Sequence, residues 1–328
     1  MSRINHIDTA RGIAILLVVL GHCFHSAEAP LNRVILSFHM PLFFFLSGVF
    51  AKHMSKNELV GGAFSKAKRL LIPQITLSLT IIVLKGGLWL SEGKSITDFD
   101  FLSCFGFWFL PVLFICSVAF MIVSALVDLS KKGFRIMACI SLLLIAALPA
   151  YLHLSSEIIP VDWFIKSSVA VFFFFCGAFY KERALYVELE ENRIQGLCMI
   201  LLIAVLVILS QLNTPVKMYL NEYGSFPFFL LSSFVGIWLV LEISKKLTNT
   251  AFLNEMGRLS IAVYVWNFLI VGIMLRVVNT MMKTIEMEND GVFSALVFIF
   301  SISIIYTISK ITYNKLPFLY GIKKIKHD

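Results

Sequence analysis

The residues best suited to chemistry sit on one apolar stretch, Asp8-Thr-Ala-Arg11-Gly-Ile-Ala-Ile-Leu-Leu-Val-Val-Leu-Gly-His22. Eleven helical steps of roughly 100° return to about 20°, so Arg11 and His22 share one helix face, three turns and roughly 16 Å apart. A guanidinium is a permanent cation that grips phosphates, and an imidazole titrating at about pH 6.5 can take a proton from an alcohol. One face therefore joins an anion site to a candidate general base. The plainer alternative for His22 is a hydrogen-bonded structural histidine.

Other polar residues fall at related depths. His39, in Phe38-His39-Met-Pro41, is expected level with His22 on the neighbouring helix. It is either a second participant or a ring serving the carbonyl that Pro41 frees. His25 reads as an interfacial residue, and Asp8 as the N-cap of the first helix. The segment Phe64-Ser-Lys66-Ala-Lys68-Arg69-Leu-Leu-Ile-Pro73-Gln74 places three cations near the Arg11 end. They would suit phosphates, or would serve as a positive-inside anchor. Trp108 opens Trp108-Phe-Leu-Pro111, where a tryptophan is often only an interface anchor. Tyr264 and Asn267, three apart, share a face, and an amide about 12 Å into a bilayer needs a partner helix or a polar cavity.

The elements that must position these groups are membrane helices. The 328 residues are 59% hydrophobic and 15% charged, with a mean hydropathy of +0.86. No soluble core of this size needs so much apolar surface. Ten runs approach or exceed the length that crosses a bilayer, near 11–29, 34–51, 70–90, 105–127, 134–152, 163–181, 194–212, 225–244, 259–279 and 292–312. The fold class expected is an all-α polytopic bundle, a single transmembrane domain over 1–328.

With the N-terminus in the cytoplasm, only Arg33, Lys85, Lys94, Lys166, Lys217, Arg276 and Lys283 fall on the outer side. The other 21 of the 28 lysines and arginines fall inside, including the tail Lys323-Lys324-Ile-Lys326. That asymmetry puts both termini in the cytoplasm. Lys85, Lys166 and Arg276 are read as snorkelling to the outer surface. The net charge of +8 thus reflects topology and gives no reason to expect nucleic acid.

Six cysteines, Cys23, Cys104, Cys116, Cys139, Cys176 and Cys198, are scattered singly, with no metal spacing and no disulfide framework. No metal is expected. The first apolar run lacks a small-residue cleavage site after it and reads as a retained helix. Walker loops, GxGxxG, GxSxG and HExxH motifs are absent, and the intramembrane acids of many ion-coupled transporters are nearly so.

These residues together resemble the acyltransferase 3 family, within it the fucose 4-O-acetylase-like branch. The likeness rests on Arg11 and His22 with ten residues between them, on Phe43-Phe44-Phe45-Leu46-Ser47-Gly48, and on Lys66-Ala-Lys68-Arg69-Leu-Leu-Ile-Pro73. Trp108-Phe-Leu-Pro111 and Phe173-Phe-Phe-Phe-Cys-Gly177 add to it. One departure is Asn267, where relatives often carry a histidine; an amide cannot shuttle a proton near neutral pH.

The resemblance implies a bacterial inner-membrane enzyme moving an acyl group, usually acetyl, from cytoplasmic acyl-CoA to a hydroxyl of a surface glycan or lipid-linked saccharide. His22 and Arg11 would be catalytic. Arg11, Lys66, Lys68 and Arg69 would bind the donor, with support from His39, Ser47, Trp108, Tyr264 and Asn267. Whether transfer is direct or passes through an acyl-histidine stays open. The alternatives are a saccharide or lipid carrier, with Arg11 and His22 as binding residues, and a non-catalytic assembly partner.

Overall fold

The computed structural model describes residues 5–93, 95–105, 107–129, 131–152, 154–186, 196–284 and 289–322. Gly106, the tail 323–328, Arg3, Lys94, Arg193 and the first two residues of the predicted span 194–212 lie outside them. The described residues fold into α1 (Asn5–His22), α2 (Pro30–Val49), α3 (Leu59–Ser91), α4 (Phe109–Leu126), α5 (Lys132–Leu152), α6 (Ile159–Tyr186), α7 (Gly196–Leu212), α8 (Phe226–Lys246), α9 (Ala251–Arg258), α10 (Ser260–Thr284) and α11 (Asp290–Lys315). No β-strand forms among them. In hydrocarbon every backbone polar group must be satisfied internally, and helices do that within one segment.

Each of the ten predicted stretches contains a helix, and among the described residues eight of these helices are long and apolar enough to cross a membrane. The other two are α1, whose 18 residues include Asp8, Arg11 and His22, and α7, which has 17 residues. The chain is an integral membrane protein of the all-α polytopic class.

Several helix starts differ from expectation, and three of them bear on the site. The first helix begins at Asn5, so Asp8 lies inside its first turn rather than at the N-cap; its carboxylate still faces the positive end of the helix dipole. The third begins at Leu59, eleven residues early, because Ser55 and Glu58 form a capping box just before it. That brings Lys66, Lys68 and Arg69 into regular helix. The fourth begins at Phe109 with Trp108 as its N-cap residue.

The amphipathic α9 was not expected, because its eight residues are too short and too polar to stand out as a span. It packs along α1. A methyl group on Gly12 would stand 2.8 Å from the Leu253 carbonyl carbon, and one on Gly257 would stand 3.0 Å from that of Asp8. Only glycine permits so close a crossing. Thr9 Oγ1 donates to Asn254 Oδ1 at 2.7 Å across the same contact.

A second glycine crossing joins α2 to α6. Side chains at Gly48 or Gly177 would collide with the backbone of Phe174 or Phe45 respectively. The two phenylalanine-rich segments thus pack on each other, and Phe44, Phe173, Phe174 and Phe175 are almost wholly buried.

Two expectations about polar residues are corrected. The carbonyl freed by Pro41 is that of Ser37, four residues earlier, and it accepts the Ser233 hydroxyl of α8 at 3.0 Å rather than the ring of His39. Lys166 does not snorkel: it is 4% exposed and forms an ion pair with Asp162 one turn before it. Asn221 Nδ2 also donates to Asp162 at 3.4 Å. A buried ammonium needs such a partner, because leaving it unpaired in the bundle would be costly.

Candidate active site

A cavity of about 730 Å³ runs between α1, α2, α3, α4 and α10, and the 216–219 segment before α8 forms part of its wall. Arg11, Lys66 and Arg69 line it together with Phe50 and Ser260. His22, His25, Asn32, His39, Lys217 and Tyr219 also line it, as do Ser47, Trp108, Tyr264 and Asn267. Arg11 and His22 are three turns apart on one face of α1, so a single space reaches from a guanidinium to an imidazole roughly 16 Å away.

At the arginine end, packing fixes the geometry. Arg11 Nη2 donates to Ser260 Oγ at 3.1 Å, and the guanidinium lies 5.3 Å from the centre of the Phe50 ring. The α1–α9 glycine crossing holds the backbone behind it, and α10 starts directly after α9, which places Ser260. Lys66 and Arg69 are one turn apart on α3 and face the same space, and Lys52 lies near enough to Lys66 to act on its charge. Like charges gathered this closely repel unless an anion sits among them.

Lys68 is placed elsewhere. It is exposed and its ammonium lies 4.4 Å from the centre of the Phe64 ring, a cation–π contact outside the cavity lining. The 3.6-residue period turns it about 200° away from Lys66.

At the histidine end, His22 is exposed and lines the cavity. His39 is 7% exposed, and its Nδ1 lies 2.8 Å from the carbonyl oxygen of Ile35. A carbonyl can only accept, so Nδ1 carries the proton and Nε2 is left as an acceptor. His25 stacks on Phe293 with ring centres 3.9 Å apart, an anchored position at the cavity rim.

The wall between the ends is largely aromatic. Trp108 packs 6.1 Å from Phe44, and Tyr264 packs 5.3 Å from Phe109, centre to centre. Trp108 therefore belongs to the cavity wall as well as opening α4. Asn267 is 2% exposed. Among the described residues no three histidine, cysteine, aspartate or glutamate side chains gather as a metal site would require.

Sequence reasoning missed several lining residues. Ser260 stood beside Leu259 in a segment singled out for Tyr264 and Asn267, and its position two turns before Asn267 was the available signal. Lys217 and Tyr219 lie in the α7–α8 connection, where no periodicity exists to read. That connection is nonetheless well fixed. Asn213 Nδ2 donates to the Tyr223 carbonyl at 3.0 Å, the Ser225 amide donates to Asn213 Oδ1 at 2.7 Å, and Lys217 pairs with Glu222 at 3.0 Å.

A family model described as an acyltransferase domain matches residues 4–310, nearly the whole chain and every cavity residue named above. The chain belongs to the acyltransferase 3 family. It is accordingly a membrane acyltransferase. Neither the curated proteins nor the solved structures give a significant match.

Proposed function

We propose that this acyltransferase carries an acyl group, acetyl in the simplest case, from cytoplasmic acyl-CoA to a hydroxyl of an extracytoplasmic saccharide. The observation that carries the reading is a single cavity lined both by the Arg11, Lys66 and Arg69 cluster and by His22 and His39. The cations suit the phosphates of CoA, arginine through paired N–H donors and lysine as a point charge. The extended pantetheine arm would then run along the α1 face toward His22.

In this scheme the acceptor hydroxyl enters from the histidine end. His22 takes its proton as the alcohol oxygen attacks the thioester carbonyl. A tetrahedral intermediate forms, then collapses with cleavage of the carbon–sulfur bond. The departing thiolate recovers the proton from the imidazolium, so the products are the ester and free CoA. The aromatic wall excludes water that would otherwise hydrolyse the thioester. Arg11 holds the donor, and the Ser260 and Phe50 contacts keep its guanidinium in place.

The lysine and arginine distribution supports a cytoplasmic arginine end and cytoplasmic termini, and the family likeness supports a bacterial inner membrane. The likeness of the first two helices to the fucose 4-O-acetylase-like branch supports a sugar alcohol, on a surface glycan or a lipid-linked saccharide, as acceptor.

The test is purified protein in lipid with acetyl-CoA labelled in the acetyl group and a total envelope saccharide extract. Release of free CoA with label in the saccharide fraction is expected. Saccharide movement across vesicles with the thioester left intact would replace this reading by that of a carrier.

A further inference from the structure

Asn267 presents an unmet need. Its Oδ1 is enclosed and has no hydrogen-bond partner among the described residues, although the side chain lines the cavity. A buried amide acceptor left unpaired is unfavourable, and such groups in native proteins are normally satisfied by protein, ordered water or a bound ligand. The missing partner must be an N–H or O–H donor.

Position narrows the choice. Asn267 lies seven residues beyond Ser260 on α10, which is two turns, the same helix face and about 10 Å along the axis. Ser260 holds Arg11, and both helices lead from that contact into the cavity. His22 is roughly 16 Å from Arg11 on α1. Asn267 thus stands short of the histidine, on the stretch a ligand anchored at Arg11 must cross. The same cavity is lined by Tyr264, Phe268, Phe109 and Leu77, and Tyr264 packs against Phe109; such a lining suits a chain of methylene groups with an occasional polar link.

We infer that Asn267 Oδ1 accepts a hydrogen bond from the pantetheine amide nearest the sulfur of the bound CoA thioester. The inference rests on the acyl-CoA reading above and adds to it a donor-positioning residue. That amide sits two methylene groups behind the sulfur, so holding it also sets how far the thioester carbonyl reaches toward His22. A saccharide hydroxyl could satisfy the same oxygen, but it would have to pass His22 to do so.

The test measures binding by calorimetry on the full-length purified protein, with CoA and with adenosine bisphosphate, the nucleotide part without the arm. Asn267→Leu is expected to weaken CoA about tenfold, one lost hydrogen bond, and to leave the nucleotide unchanged. On the unaltered chain, a CoA analogue with that amide replaced by an ester is expected to bind about tenfold more weakly than CoA. This second measurement does not depend on how the variant folds. Equal CoA affinity in variant and parent, or equal affinity for CoA and the ester analogue, overturns the inference while leaving the donor reading intact. Failure of the unaltered chain to bind CoA at all overturns the donor reading and this inference with it.

Discussion

Replacing Gly12 with alanine isolates what the α1–α9 crossing does for the site. The new methyl carbon would stand 2.8 Å from the Leu253 carbonyl carbon and 3.1 Å from its Cα. Carbon atoms rest at about 3.5–4.0 Å, so α9 must retreat by about 1 Å. Overpacking of this kind costs about 1–3 kcal/mol, and the better helix propensity of alanine returns about 1 kcal/mol.

The expected net loss is at most about 2 kcal/mol, and about 1–3 kcal/mol relative to a glycine replaced without a clash, read as a melting temperature of the purified protein a few degrees below that control. Gly87→Ala provides the control. Nothing lies within 4 Å of a methyl there, so the same propensity gain stands alone and the melting temperature should hold or rise. The retreat also stretches the 3.1 Å bond between Arg11 and Ser260 beyond hydrogen-bond range, and acyl-CoA affinity should fall in Gly12→Ala alone. Melting temperatures that move together in the two variants, or an unchanged Gly12→Ala, would refute the claim that this crossing fixes the guanidinium.

Three further outcomes follow from the site. His22→Ala should lower acyl transfer by at least about a hundredfold while acetyl-CoA still binds, as measured by labelled transfer and calorimetry side by side; full activity would remove His22 from the role of base. Arg69→Ala should weaken acetyl-CoA about tenfold, the loss of one charge-assisted contact, whereas Lys68→Ala should leave it unchanged because that ammonium rests on the Phe64 ring. Equal effects of the two would return the basic segment to a membrane anchor. Ser156→Cys should react with an impermeant maleimide on intact cells, and labelling that needs permeabilised cells would reverse the proposed orientation.

Much of the site was legible because it is local. Arg11 and His22 need only the helical repeat to be placed on one face. The same repeat applied to Lys66, Lys68 and Arg69 separates the second from the other two. With a helix expected only from residue 70, that separation is hidden; the capping box from Ser55 to Glu58 starts the helix early enough to reveal it. His39 lines the same cavity as His22, but the carbonyl that Pro41 frees goes to Ser233, nearly two hundred residues away in the chain. Sequence alone makes Lys166 an exposed end group, because its burial depends on how α6 packs, which periodicity does not report.

By itself the sequence determined that apolar helices cross a membrane and that one of them carries a cation and an imidazole on a common face. Length, hydropathy and a repeat of 3.6 residues suffice for that, since each is a property of neighbours along the chain. Only the tertiary structure decided which cations face the cavity, that α9 braces Arg11 through paired glycines, and that Ser260, Asn267 and the 216–219 segment join the same wall. Those facts follow from contacts between residues some two hundred and fifty positions apart, and nothing local in the chain encodes who meets whom at that distance.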